Sequence, residues 1–422
     1  MQTNKLFNLK TRNKIVETQY IVLILGYIFG FYMAWNIGAN DVANSMASAV
    51  GAKAITLCQA VFIAGILNIV GAIFLGTHVT NTIRKGIIST DVLSDPHTAM
   101  LGALSALLAA ALWVSFATIK SLPVSTTHSI VGAMIGFGIA AGGFSVIQWS
   151  KLIAVVASWI ISPVFAMIIS FTIFKVIVAV ILSKKNRFSL AIKLSPFFIG
   201  ATIFIVVMSF IYKTPLGKNL HLNIVQASLI AFCLSLLLGI ILGKVIKRFV
   251  KKGEDGPESV FRKIQIGTSC YVSLAHGAND VANAIGPLAV IYFIVKTGSV
   301  DSTIPVPVFL LLFGGVGIAA GIAMAGRRVM ETLSTKITTL NNSRGFSVDF
   351  AAATTVLIAS KLGLPVSTTH ATVGGVLGVG LARGIGAVNF YLILKIILYW
   401  VLTVPASAIT CIMIFKILKI FI

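Results

Sequence analysis

Two short polar phrases each occur twice in the chain, and they hold the residues that could do chemistry. GANDVAN stands at 38–44 and 277–283, and PVSTTH stands at 123–128 and 365–370. Each copy of the first phrase carries an aspartate flanked by asparagines, and each copy of the second carries three hydroxyl side chains. Carboxylate and amide oxygens suit a hard cation, whereas hydroxyls and free backbone N–H groups at a helix start suit an anion. The phrases therefore predict a site for a cation and an oxyanion.

The cation ligands are expected among the acidic and amide side chains of the GANDVAN phrases, namely Asn40, Asp41, Asn44, Asn279, Asp280 and Asn283. Both aspartates lie in apolar stretches, where a charged side chain at the bilayer centre costs about 3 kcal/mol on insertion scales. Each carboxylate therefore needs a cation or a water-filled cavity beside it, and Na⁺ fits ligands that are all oxygen. The alternative is that small and amide residues merely pack helices together, which the presence of the phrase in both halves disfavours.

The PVSTTH phrases supply six candidate ligands for a tetrahedral oxyanion, namely Ser125, Thr126, Thr127, Ser367, Thr368 and Thr369. Each proline stands where a helix can begin, so the hydroxyls are expected beside unpaired backbone N–H groups. An ordinary Ser or Thr N-cap would explain one copy alone, and pairing with an aspartate phrase in both halves favours binding. His128, His276 and His370 are interpreted as hydrogen-bonding packing residues, with a proton-relay or ligand role as the alternative.

The composition around these phrases is that of an integral membrane protein. The chain of 422 residues is 57% hydrophobic and only 10% charged, and its mean hydropathy is +1.00. Its apolar runs are continuous and long enough to cross roughly 30 Å of hydrocarbon, which predicts helices and not the alternating strands of a barrel. We expect an all-α polytopic protein of the plasma (inner) membrane.

The net charge of +22 is a second feature of the composition. Its basic residues concentrate between the apolar runs, so we assign them to anionic lipid headgroups and expect no nucleic acid partner. The four cysteines are scattered through apolar runs and are expected to pack, without a disulfide framework or metal cage.

The spacing of the phrases indicates an internal duplication. Asp280 follows Asp41 by 239 positions (280 − 41), and Pro365 follows Pro123 by 242 (365 − 123). Five crossings in each copy and two linking helices predict about twelve transmembrane helices in inverted repeats, with broken helices and helical hairpins at the midplane. The expected division is an N-terminal segment at 1–19, a first inverted repeat at 20–182, linking helices with a cytoplasmic loop at 183–263, and a second inverted repeat at 264–422.

GANDVANS at 38–45, GANDVANAIGP at 277–287 and the two PVSTTH phrases resemble the inorganic phosphate transporter (PiT) family, in particular its sodium-dependent bacterial or archaeal members. The resemblance implies a central phosphate site, coupling to Na⁺ and a homodimer, with no cofactor. Carried over by position, it implies that phosphate and sodium share a cradle. Phosphate would contact Asp41, Ser125, Thr126, Thr127, Asp280, Ser367, Thr368 and Thr369, and sodium would contact Asn40, Asp41, Asn44, Asn279, Asp280 and Asn283.

The expected function is import of inorganic phosphate by symport with Na⁺, with alternating access around a midplane site, and no enzymatic activity. Proton coupling, carriage of a metal–phosphate complex and carriage of sulfate stay open as alternatives on the same skeleton. A membrane hydrolase using Ser125 and His128 is disfavoured, because the pair is duplicated and no orienting carboxylate accompanies it. A passive channel is disfavoured because paired carboxylates and hydroxyl clusters suit tight occlusion better than conduction.

Overall fold

The fold is taken from a computed structural model of the chain. It describes residues 2–76, 95–214, 217, 219–250, 256–298, 306–361 and 366–422.

Twelve α helices account for most of the described residues. They are α1 Gln2–Gly51, α2 Leu57–Leu75, α3 Pro96–Ile119, α4 Thr126–Gly142, α5 Trp149–Ile177, α6 Arg187–Lys213, α7 Ile224–Phe249, α8 Pro257–Thr297, α9 Val308–Glu331, α10 Asn342–Lys361, α11 Thr368–Arg383 and α12 Phe390–Phe421. Single π-helical turns extend α5 over Val178–Leu182 and α9 over Thr332–Lys336. The all-helical architecture expected from the sequence is confirmed.

Within the described ranges, nine helices are long and apolar enough to cross a membrane, and α4 at 17 residues is too short by that measure. At 1.5 Å per residue, α4 and the 16-residue α11 each span about 25 Å, less than the hydrocarbon core. Each packs against the helix that precedes it, α3 or α10. The first proline phrase therefore lies at the turn between α3 and α4, and the described part of the second phrase, 366–370, leads into α11.

The two halves of the chain pack by reciprocal exchange. Helix α1 packs most extensively against α9, and helix α8 packs against α2, so the first helix of each half contacts the second helix of the other. In the same manner α5 packs against α11, and α12 packs against α4. Each short hairpin arm is thus supported by the last helix of the opposite half.

Helices α1 and α8 are continuous at the phrases where the sequence predicted broken helices. Both stay helical through their GANDVAN phrases. The glycines instead allow two helices to touch by their backbones, because a Cβ at Gly38 would overlap the carbonyl oxygen of Ile318 on α9. At the equivalent position, a Cβ at Gly277 would overlap the carbonyl oxygen of Asn68 on α2.

Helix boundaries also differ from the sequence-based division of the chain. The predicted N-terminal segment 1–19 is continuous with α1, which begins at Gln2. Helix α8 begins at Pro257, seven residues before the predicted start of the second repeat at 264, and Gly256 precedes it with a φ of 56°. Proline with its fixed φ is favourable at a first helical position, and glycine tolerates a positive φ, so this pair starts the helix early. The division into repeats stays a prediction.

Candidate functional site

The site forms where the middles of α1 and α8 meet the first turns of α4 and α11. Helices α1 and α8 pack against each other and each contributes one aspartate, of which Asp41 is 1% exposed and Asp280 is 4% exposed. The threonines that open α4 and α11 lie against these aspartates. Two distant phrases from each half therefore converge on one buried polar cluster.

Asp41 accepts hydrogen bonds from both hairpins. The Thr126 hydroxyl donates to Oδ2 over 2.6 Å, and the Thr369 hydroxyl donates to Oδ1 over 3.2 Å. The Asn44 amide also donates to Oδ1, over 3.3 Å. A buried carboxylate held by charge-assisted hydrogen bonds from opposite halves ties the two hairpins together.

The two asparagines at the ends of the GANDVAN phrases bind across the halves in a matching way. The Asn44 amide on α1 donates to the hydroxyls of Thr368 and Thr369 over 3.3 and 2.9 Å. The Asn283 amide on α8 donates to the hydroxyls of Thr126 and Thr127, each over 3.2 Å. Each half thus supplies an amide to the hydroxyl pair of the other half.

Asp280 lies beside a residue that the sequence analysis interpreted as a packing histidine. His276 Nε2 is 3.0 Å from Asp280 Oδ2 and 3.9 Å from Asp41 Oδ2. Asp280 Oδ2 also accepts from the Thr368 hydroxyl over 3.3 Å. Ligand atoms of Asp41, His276 and Asp280 all lie within 4.8 Å of one another, and the three side chains are buried. They form a group able to hold a metal ion.

The other ring nitrogen of His276 fixes the role of Nε2. Nδ1 lies 2.6 Å from Asn68 Oδ1, while the Asn68 amide nitrogen donates to Ala64 O over 2.8 Å and to the Ser273 hydroxyl over 3.2 Å. Asn68 Oδ1 therefore accepts, and His276 Nδ1 donates. In the neutral imidazole, Nε2 is then an acceptor that faces carboxylate oxygens. A positive charge between these atoms, carried by a proton or a metal ion, makes the arrangement favourable.

Ser125 and Ser367 act as helix caps. The Ser125 hydroxyl oxygen accepts from the backbone N–H of His128 over 3.1 Å, and the Ser367 oxygen accepts from that of His370 over 3.2 Å. This is the N-cap arrangement, with the serine satisfying a backbone donor of the first turn. The adjacent threonines, and not these serines, make the hydrogen bonds to the aspartates.

The two remaining predicted ligands occupy different surroundings. Asn40 is buried and binds the first hairpin turn: its amide donates to Thr118 Oγ1 and Leu122 O, and its oxygen accepts from Val124 N, over 2.9, 3.1 and 3.0 Å. Asn279 is half-buried and lines a small pocket with Tyr271. Residues 362–365, including Pro365, lie outside the described residues. Asn40 thus supports the hairpin that carries Thr126.

A third buried carboxylate, missed from the sequence, lies near the cluster. Asp349 on α10 is 1% exposed and accepts from Ser48 on α1 over 2.6 Å and from Ser269 on α8 over 2.5 Å. Its position in the sequence, directly before the apolar run 350–359, could have indicated that this acid is buried. Asp349 thus joins α10 to α1 and α8, the two helices that carry Asp41 and Asp280.

His128 and His370 pack as the sequence analysis interpreted them. The His128 ring stacks on Trp159 and the His370 ring on Trp400, each with centroids 3.7 Å apart. The two imidazoles meet edge to face at 4.3 Å. This stack lies directly after the threonines of the site and joins α4, α5, α11 and α12.

The similarity of the chain to known proteins agrees with this site. A model described as "Phosphate transporter family" matches residues 37–411, which include both aspartate phrases and both hydroxyl phrases. A protein of Thermococcus kodakarensis whose name places it among phosphate permeases is 48% identical over 402 residues, covering 94% of this chain and 98% of that protein. The chloroplastic inorganic phosphate transporter 2-1 of Arabidopsis thaliana is 40% identical over 407 residues, covering 90% of this chain and 69% of that protein.

A solved structure, described as "The sodium-dependent phosphate transporter", superimposes with a TM-score of 0.87 at 46% identity, covering 95% of this chain and 100% of that one. The matched ranges extend over nearly the whole chain, and residues 37–411 contain the positions of Asp41 and Asp280. The fold, the buried cluster and these matches together lead to one conclusion: the chain belongs to the phosphate transporter family.

Proposed function

We propose that the protein imports inorganic phosphate across the plasma membrane by symport with Na⁺, and that it alternates access to one site shared by its two halves. The observation that carries the proposal is the binding of Asp41 by hydroxyls of both hairpins. The names of the related proteins support phosphate as the substrate. The similar solved structure is that of a sodium-dependent transporter, which supports Na⁺ as the coupling ion.

The negative charges of the two aspartates require that phosphate binds together with a cation. Two unit charges 4 Å apart interact by roughly 4 kcal/mol at an effective dielectric constant of 20. A phosphate beside Asp41 and Asp280 would meet this repulsion from each ionised carboxylate. Sodium bound by the carboxylates neutralises their charge and removes this repulsion, so phosphate binds after the cation.

The hydrogen bonds of Asp41 indicate how the binding of Na⁺ prepares the site for phosphate. A hydroxyl has a single proton to donate. The Thr126 hydroxyl donates it to Asp41, and the Thr369 hydroxyl has two acceptors at 3.2 Å, Asp41 Oδ1 and Val124 O. When Na⁺ takes the carboxylate oxygens, these hydroxyls can turn and donate to phosphate instead. The amides of Asn44 and Asn283 and the free N–H groups at the starts of α4 and α11 then complete a set of donors for an oxyanion.

Reciprocal packing supports alternating access in inverted repeats. The hairpin arms α4 and α11 each carry half of the hydroxyls and are each supported by a helix of the opposite half. Movement of the hairpins against α1 and α8 would open the site to one side of the membrane and then to the other.

We further propose that the protein is a homodimer in contact with membrane lipid.

Uptake of labelled phosphate into proteoliposomes tests the function. Purified protein is reconstituted, and an inward gradient of Na⁺, of K⁺ or of protons is imposed in parallel vesicles. We expect phosphate accumulation only with the sodium gradient, and no accumulation of labelled sulfate. Accumulation driven by protons alone, or dependent on a divalent metal in the absence of sodium, would replace the proposed coupling ion.

A further inference from the structure

A long apolar groove runs along the outer surface of α6, far from the aspartate cluster. Its volume is about 720 Å³, and its walls come from α6, α7 and α10. The residues of α6 that line it recur every three or four positions from Lys193 to Tyr212. At 1.5 Å per residue this stripe is roughly 29 Å long, which matches the hydrocarbon thickness of a bilayer.

The groove walls are apolar over almost their entire length. Aromatic and aliphatic side chains line it, including Phe197, Phe204, Phe232, Leu236, Phe350 and Leu357. Phe197 is 69% exposed and Phe232 is 59% exposed. An acyl chain of the leaflet on the Lys193 side fits the composition of this groove and would occupy about half of its length, because one leaflet contributes about 15 Å of the hydrocarbon core.

One end of the groove is strongly basic. Lys193 lines the groove itself, on the second turn of α6. Because Gly239 and Gly243 of α7 pack against Pro196 of α6, the carboxyl end of α7 lies beside this turn. Exposed basic side chains therefore lie toward the same end of the helix pair as Lys193: Lys184, Lys185, Arg187, Lys244, Lys247 and Arg248.

Acidic residues do not neutralise this end within the described segments of α6 and α7. The sequence has no Asp or Glu between Asp95 and Glu254. Glu258 at the start of α8 is engaged by Asn341 and by Ser343, which donates from its backbone N–H and hydroxyl. The charge at the mouth of the groove thus complements an anionic headgroup.

We propose that this groove is a binding site for an anionic phospholipid, with an acyl chain between α6, α7 and α10 and the headgroup phosphate at Lys193. The occupant would contact α10, because Phe350 lines the groove, and the preceding Asp349 of α10 is bound by Ser48 on α1 and Ser269 on α8. The site requires a lipid with a negative headgroup. A zwitterionic lipid has the same acyl chain, but its headgroup carries no net negative charge.

Native mass spectrometry of the full-length protein in detergent tests the assignment without any transport measurement. Phosphatidylglycerol or phosphatidylcholine is titrated into separate samples. We expect one tightly bound phosphatidylglycerol per protomer and weaker binding of phosphatidylcholine. Lys193→Gln should weaken phosphatidylglycerol binding about five-fold, the effect of one basic residue at an anionic surface. Lys395→Gln is the matched control, since Lys395 is an exposed lysine on the second turn of α12.

A second variant tests the groove independently of charge. Ala201→Phe places a large side chain on the groove wall and should abolish the tight adduct. Ala154→Phe, at an exposed position of α5 outside the groove, should retain it. Equal phosphatidylglycerol binding by wild type and Ala201→Phe would overturn the proposal, as would equal binding of the two lipids. Conversion of a two-copy particle to a single copy by Ala201→Phe would instead assign the groove to self-association.

Discussion

His276 Nε2 lies 3.0 Å from Asp280 Oδ2, one helical turn away on α8. The opposite ring nitrogen donates to Asn68, so the neutral imidazole presents a lone pair to the carboxylate. The close approach is favourable only with a positive charge between the two groups. This geometry adds His276 to the residues that are expected to respond to the coupling cation.

Replacing His276 with Gln should reduce sodium-driven phosphate uptake at least ten-fold, because the nitrogen facing both carboxylates is lost. The measurement is initial uptake as a function of Na⁺ concentration, and we expect the half-saturating concentration to change. His97→Gln is the control, since His97 is exposed on the first turn of α3. A sodium response of the His276 variant identical to that of wild type would remove His276 from the cation site.

Asp41→Asn and Asp280→Asn should each abolish sodium-driven uptake. An amide keeps the size of the side chain but removes the negative charge that attracts Na⁺, and it places donor hydrogens toward the threonine hydroxyls. Asp95→Asn is the matched control, because Asp95 is an exposed N-cap of α3 and asparagine is an equally good cap. Undiminished transport by the Asp41 variant, with unchanged sodium dependence, would contradict the assignment.

Substitutions in the PVSTTH phrases should distinguish residues that bind phosphate from residues that cap a helix. Thr126→Val removes a hydroxyl that donates to Asp41 and should raise the KM for phosphate several-fold, while Thr126→Ser retains the hydroxyl and should preserve it. Ser125→Ala should lower the free energy of unfolding by about 1 kcal/mol through loss of the cap. The checks are uptake kinetics and thermal unfolding in detergent. A larger rise of KM in Ser125→Ala than in Thr126→Val would show that the serine is the more important ligand.

Adding one methyl group at a helix crossing should destabilise the fold. Gly277→Ala places a Cβ against the carbonyl oxygen of Asn68, and the two backbones must separate, at a cost of about 1–3 kcal/mol. Gly267→Ala on the same helix is the control, since a Cβ there meets nothing within 4 Å. Thermal unfolding of both variants in detergent gives the comparison. Equal unfolding temperatures for the two would contradict a tight crossing at Gly277.

The sequence predicted which residues would meet, but not every role they take. Periodicity and duplication identified the helical fold and the two aspartate phrases, because buried acids are conspicuous in an apolar chain. Spacing alone could not separate Ser125 from Thr126, since capping depends on the first-turn geometry of α4. His276 stands four positions before Asp280, a spacing that places both on one helix face, but its bond to Asn68 on α2 depends on tertiary packing.

The role of Gly38 could not be predicted from the sequence either. In a sequence, Gly38 is compatible with an unwound segment, a turn or a close helix contact. The choice among these depends on α9, which is more than 250 residues away in the chain. Asp349 was missed for a comparable reason, because its partners Ser48 and Ser269 lie on two other helices.

The backbone contacts at Gly38 and Gly277 restrict which parts of the molecule can move. Carbonyl oxygens of Ile318 and Asn68 fill the space beside these glycines, so α1 is locked to α9 and α8 is locked to α2. In the proposed transport cycle, we therefore expect Asp41 to move together with α9 and Asp280 together with α2. The hydroxyls of the two short hairpins, which these contacts do not hold, are expected to move relative to the carboxylates.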